Sequence, residues 1–331
     1  MPRRPKSRLR VAVTACAAVI LLVSGCAARS VAAVSVPGSA DPVIPVSSFP
    51  VGLPPEGLDG GCQTDTVMSV WAHYDDDLIF RYQEISDAIQ AGDCVRSVFV
   101  TGGDAGRGRE YSWNREQGIR DAYDMMRASR SPWVQYDVPL DSGMTVDVWR
   151  PSDDPRVTLV FLRLPDGNLD GSGFGVTQDV SLAQLASGRI DTILTLDGAA
   201  VTWDEVTETI AELIRIFAPA RFSTHVPGDA AGWARGDHAD HAATGILARS
   251  AWQAAGLDAS HVSYAVGYQT ADYPANVAGT MLTAKLAVFL AYSAHDAVPP
   301  CGDAASCLVS ATFGAWLQRE YTRSEADLTF G

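Results

Sequence analysis

From Asp65 onward, short apolar runs alternate with longer stretches in which apolar residues recur at helical spacing. The runs at 66–71, 95–100, 133–138, 157–164, 193–196, 221–226 and 262–266 predict strands. The spacing predicts helices over 78–91, 112–129, 202–217, 238–255, 280–292 and 313–321. Thr202 with Glu205 three residues on forms a capping box, and Gly256 closes the 238–255 helix. Strands that alternate with helices pack as a mostly parallel sheet with helices on both faces. The expected fold class is therefore α/β and Rossmann-like. No internal repeat and no domain-scale linker interrupts the pattern.

The first residues follow a different pattern. Arg3, Arg4, Lys6, Arg8 and Arg10 precede the apolar stretch 11–23, and Ser24-Gly25 stand before Cys26. This reads as a secretory signal over 1–25, and Val23-Ser24-Gly25-Cys26 resembles a bacterial lipobox. Cys26 would then carry lipid as the mature N-terminus, with 26–61 a flexible tether rich in Pro, Ser, Ala, Val and Gly. The globular domain is expected over 62–331. The expected location is outside the cytoplasm, anchored to the outer face of a bacterial cytoplasmic membrane.

Charge narrows the partners. The chain has 25 basic and 39 acidic residues; losing the five basic residues of the signal leaves a formal charge of −19. That balance disfavours nucleic acid and anionic headgroups but not a neutral sugar. Of six cysteines, Cys62, Cys94, Cys301 and Cys307 remain after the signal and Cys26 are set aside. In an exported chain they point to two disulfides, with three pairings open. Cys301 and Cys307 flank a short loop, and Cys62 and Cys94 each precede a predicted strand.

The candidate chemistry lies where strands end. Ala72-His73-Tyr74-Asp75-Asp76 follows the first strand, and Asp237-His238-Ala239-Asp240-His241 opens the 238–255 helix. Ligands bind outside the carboxyl ends of strands in open α/β sheets. Imidazole with carboxylate suits a divalent metal such as zinc, and a spare carboxylate beside it can act as general base. His238 and His241, three apart, share a helix face. Either cluster alone could be a polar helix start, with an aspartate as cap. Asp166 and Asn168 are explained by turn formation. No Gly-x-Ser-x-Gly elbow is present, which disfavours a serine hydrolase.

Ala72-His73-Tyr74-Asp75-Asp76, Thr101-Gly102-Gly103-Asp104-Ala105-Gly106, Arg115-Glu116 and His238-Ala239-Asp240-His241 occur in the order seen in the PIG-L/LmbE-like de-N-acetylases, which the chain resembles over about 65–292. The family pattern has proline where this chain has Tyr74 and Ala239. The resemblance implies zinc, or another divalent metal, bound by His73, Asp76 and His241. It implies Asp75 as general base, and His238 as the group that stabilises or protonates the tetrahedral intermediate, oriented by Asp240. Arg115 would contact the sugar or its aglycone. Some relatives carry a carbonyl-polarising tyrosine just before the last motif; here Arg235 is the candidate substitute.

The expected activity is removal of the acetyl group from an N-acetylated, GlcNAc-type sugar or glycoconjugate. The competing readings are a weakly catalytic carbohydrate-binding module of the same fold and a metal-dependent amidase or esterase on a non-sugar substrate. The anchor has its own test. Cys26→Ala is expected to move the protein from the membrane to the soluble fraction. A wild-type protein that is already soluble, with its N-terminus elsewhere, would refute the lipobox.

Overall fold

The first predicted strand lies inside the sheet, and every one of its side chains is buried. In the computed structural model, residues 52–54 and 57–330 are described and belong to a unit that begins at Ser48. The signal segment, Cys26 and most of the tether lie outside the described residues. In chain order the elements are β1 (Thr66–Trp71), α1 (Asp76–Phe80), α2 (Tyr82–Ala91), β2 (Cys94–Thr101), α3 (Arg109–Arg127), β3 (Trp133–Pro139), β4 (Thr145–Pro151) and β5 (Val157–Leu164). They continue as α4 (Leu182–Ala186), β6 (Ile193–Leu194), β7 (Ala200–Val201), α5 (Trp203–Phe217), β8 (Arg221–His225), α6 (Ala239–Ala255) and β9 (Val262–Ala265). The chain ends in α7 (Gly279–Ser293), α8 (Ala304–Val309), α9 (Phe313–Leu317) and β10 (Thr322–Ser324).

Eight strands form one sheet in the order β10-β9-β8-β1-β2-β5-β4-β3. The central five, β9 to β5, pair in parallel; β10, β4 and β3 add antiparallel edges. β1, β2 and β5 are buried along their whole length, as strands covered on both faces must be. One face carries Val70, Val98, Val160, Ile210, Leu213 and Leu247. The other carries Trp71, Phe99, Phe161, Ile119, Tyr123 and Phe289. From β1 the chain passes to β2 and on to the far edge at β3, comes back through β4 to β5, then crosses to lay β8 and β9 on the other side of β1. The strand order therefore reverses between β1 and β8, and a crevice opens at their carboxyl ends.

The fold class is as the sequence predicts, with local differences. The 78–91 helix is two helices, broken at Arg81, whose φ is −145°. The carbonyl of Ile79 is satisfied by the buried ammonium of Lys285 on α7 at 2.6 Å, which also pairs with Glu320 at 2.8 Å. The last helix stops at Leu317, because Tyr321 accepts a bond from the Val266 amide and leads into β10. β4 escaped the sequence pattern; it pairs with β3 as a hairpin and with β5. The 193–196 run contributes only to a separate pair, β6 with β7. The Thr202–Glu205 capping box and the Gly256 cap form as expected.

The end of the predicted tether is corrected. Residues 57–61 are docked on the domain rather than free. Arg150 donates to the Gly57 and Leu58 carbonyls, Arg96 donates to the Asp59 carbonyl, and Leu58 is 4% exposed. Two buried guanidiniums need acceptors, and this stretch of backbone supplies them.

Cys62–Cys94 and Cys301–Cys307 are disulfides. The first ties the docked segment to the start of β2. Replacing Cys62 and Cys94 together by Ser is expected to lower stability in urea by about 2–5 kcal/mol. An unchanged denaturation midpoint would refute that contribution.

Candidate active site

The site lies at the strand-order reversal. The loop after β1 is fixed by Thr101 at the end of β2, whose amide and hydroxyl both donate to the Ala72 carbonyl, at 2.9 and 2.8 Å. Asp76 then opens α1, and its Oδ2 accepts the His73 amide at 2.6 Å. Tyr74 points the other way. It is buried edge-on between Phe99 and Phe161, and its hydroxyl donates to Glu116 at 3.2 Å. The missing proline is thus replaced by a ring that anchors the loop in the core.

His73, Asp76 and His241 come together, with ligand atoms within 4.8 Å of one another. His73 Nδ1 is 3.2 Å from His241 Nε2, and His241 Nε2 is 3.0 Å from Asp76 Oδ1. Outer carboxylates set both tautomers. His241 Nδ1 donates to Asp237 at 2.8 Å, and His73 Nε2 donates to Asp240 at 3.3 Å. Each ring therefore turns its other nitrogen toward Asp76, the arrangement that metal-binding histidines show. Buried this way, the group demands a cation. Against the effect of burial, Asp76 and Asp237 push His241 up to about 9, while His241, His225 and His73 hold Asp76 well below the usual carboxylate range. Two imidazoles and a carboxylate are a fitting donor set for zinc or a similar divalent ion.

His225, the last residue of β8, was not singled out by the sequence. Its ring stacks on His241 at 4.1 Å, and with its proton on Nε2 it donates to Asp76 Oδ2 at 3.0 Å. Its position at a strand's carboxyl end was the available signal. Asp237 likewise stood beside the motif without an assigned role.

Asp75 faces the cleft next to this group. Burial pushes its carboxyl up to about 6, opposed by Arg115, whose Nη2 donates to it at 2.9 Å. Arg115 is corrected here. It borders the cleft, but each of its nitrogens is directed at protein: Asp75, the Gly103 carbonyl, and Tyr292 with Asp296, at 2.5 and 2.9 Å. A buried guanidinium needs such acceptors, and three of its five N–H groups are spent on holding Asp75 and bracing the cleft wall.

Asp240 is corrected as well. Its carboxylate accepts from His73 and from the Gly167 amide at 2.8 Å, and lies 3.9 Å from His238. What orients His238 is the Asp240 backbone amide, which donates to His238 Nδ1 at 3.1 Å at the N-cap of α6. His238 thus keeps its proton on Nε2, facing the cleft and Asp166, 3.9 Å away. Burial, with His73 nearby, pushes His238 down to about 4, so the ring is neutral at neutral pH. Asp166 does more than form a turn: it is buried in the cleft wall.

Arg235 is exposed and does not line the cleft. The tyrosine that lines the cleft is Tyr268, after β9. Its ring packs edge-on against His241 at 5.0 Å and stacks on Trp316 at 4.0 Å. The Arg235 expectation fails because the segment before the motif runs along the surface, while the chain after β9 turns back over the site.

A family model described as GlcNAc-PI de-N-acetylase, PIG-L, matches residues 68–252, more than half of the chain. No curated protein matches. Among solved structures, N,N'-diacetylchitobiose deacetylase from Pyrococcus horikoshii is 14% identical, with 79% of this chain and 83% of that chain covered and a TM-score of 0.43. The conserved protein TT1542 from Thermus thermophilus is 17% identical, covering 81% and 98%, with a TM-score of 0.42. The 4-carboxy-2-hydroxymuconate hydratase GalB from Pseudomonas putida is 11% identical, covering 72% and 85%, at 0.40. With the family model spanning β1 to α6 and both motif-bearing loops, the chain belongs to the PIG-L family of hydrolytic deacetylases.

Proposed function

We propose that this chain is a divalent-metal-dependent hydrolase that removes the acetyl group from an N-acetylated, GlcNAc-type sugar or its conjugate, exported and anchored through Cys26. The observation that carries the reading is the convergence of two imidazole nitrogens on Asp76, with the spare carboxylate of Asp75 beside them.

A divalent cation held by His73, Asp76 and His241 would supply Lewis acidity, polarising a water and the amide carbonyl. Asp75 is the base for the water's proton, and its raised proton affinity suits it to return that proton to the leaving amine. Arg115, braced by Asp296 and Tyr292, keeps Asp75 aimed at the cleft. Neutral His238 offers its Nε2–H to the oxygen on which charge develops, as a donor already in place. Asp237 and Asp240 keep the two ligand rings in the required tautomers. The cleft, about 230 Å³, is below the ~300–1,000 Å³ of drug-sized pockets and suits one small unit such as an acetylated sugar ring.

His241→Ala is expected to lose most of the bound metal while its circular dichroism stays that of the wild type. Unchanged metal content would remove His241 from the cradle.

Asp75→Asn keeps the shape of the side chain but cannot take the proton. Acetate release from N-acetylglucosamine glycosides is expected to fall roughly 10²–10⁴-fold, with metal content unchanged. Equal rates would show that Asp75 is not the base. A wild-type protein that binds metal and sugar yet releases no acetate would be a binding module instead.

A further inference from the structure

Around the polar floor of the cleft stands an apolar rim. Ile79, Leu169, Phe174, Val298, Phe313 and Trp316 line it. Leu169 is 64% exposed and Val298 is 47% exposed, large apolar side chains held toward water. Neither position is a slack loop. The Leu169 carbonyl accepts the Ala239 amide at 3.1 Å, a bond a proline at 239 could not donate. Asn168, at φ 64°, accepts the Leu169 amide at 2.8 Å, and the Gly167 amide before it is held by Asp240 at 2.8 Å. On the opposite side the Val298 amide donates to Asp296 at 2.9 Å, the carboxylate that braces Arg115. The backbone that carries each exposed side chain is thus fixed beside the site.

The charges in the wall point the same way. Asp75, Asp76, Asp166 and Asp296 line the cleft, and among the described lining residues the one non-imidazole cation is Arg115, which is ion-paired with Asp75 and Asp296. A phosphate beside the sugar would face this excess of carboxylates, with the one guanidinium already ion-paired to two of them. An uncharged apolar group would find the rim.

We propose that the cleft selects an acetylamino sugar bearing an uncharged apolar aglycone, alkyl or aryl, which lies against Leu169 and Val298. This rests on the de-N-acetylase reading of the site. The sugar ring fills the cavity, and the aglycone covers apolar surface that the free enzyme leaves in water.

The test measures acetate release by the full-length, metal-loaded protein from the methyl and hexyl glycosides of N-acetylglucosamine and from N-acetylglucosamine 1-phosphate. The hexyl glycoside is expected to exceed the methyl glycoside in kcat/KM by roughly 10-fold or more, the scale of discrimination that apolar contacts give. The 1-phosphate is expected to fall below the methyl glycoside. In a Leu169→Ser, Val298→Ser double variant the hexyl-to-methyl ratio should drop toward one. Equal wild-type rates on hexyl and methyl glycosides, or a 1-phosphate as good as the hexyl glycoside, overturn the proposal and leave the de-N-acetylase reading standing. An unchanged ratio in the double variant overturns the assignment to this rim. No acetate from any of the three overturns both.

Discussion

Two imidazole nitrogens that face each other at 3.2 Å need a positive charge between them, a proton or a metal ion. Most of the site's construction follows from keeping them in that unfavourable relation. Each ring is pinned from behind by a carboxylate, Asp237 for His241 and Asp240 for His73, so neither can escape by switching its proton. His225 adds a flat ring against His241 and a bond to Asp76. The carboxylates need close approach of backbone in turn. A side chain at Gly167 would collide with Asp240 Oδ1, and one at Gly267 would collide with Asp237 Oδ2. Glycine at these two places is a requirement of the outer shell of acceptors.

This frame explains why the site sits where the strand order reverses. His73 comes from the loop after β1 and His225 from the end of β8, which are neighbours in the sheet though 152 residues apart in the chain. The segment after β8 then brings Asp237, His238, Asp240 and His241 over the crevice. Backbone hydrogen bonds of the parallel strands, not the loops, set the separation of the two halves. The antiparallel edge strands extend the sheet without touching that geometry.

The sheet and the two polar clusters were legible because each rests on local pattern. Largely apolar runs mark β1, β2 and β5, and the histidines and aspartates follow strands. What was not legible depends on contacts between distant segments. Nothing near Arg115 says that Asp296, 181 residues on, will claim its guanidinium. The break at Arg81 depends on Lys285, and the docking of residues 57–61 depends on Arg96 and Arg150. The residues alone leave Asp240 free to orient an imidazole of either cluster, and the resemblance implies His238. The helix start turns its backbone toward His238 and its carboxylate toward His73. Tyr268 could not be found from the motif, since it arrives from beyond β9.

The two departures from the family's proline pattern have different consequences. At position 74 the chain exchanges a stiff residue for a large one, and loop geometry is kept by burial: Tyr74 is wedged between Phe99 and Phe161 and tied to Glu116. At position 239 it gains an amide hydrogen. Proline suits the first turn of a helix because its missing N–H has no partner there; Ala239 restores the donor, and the Leu169 carbonyl takes it. The start of α6 therefore carries three attachments at once. The Asp240 amide fixes His238, the Asp240 carboxylate fixes His73, and the Ala239 amide fixes the loop that presents Leu169. The proposed metal cradle, the proposed oxyanion donor and the apolar rim hang on one helical turn, so the position of α6 against β8 would couple what the site can bind to what it can do.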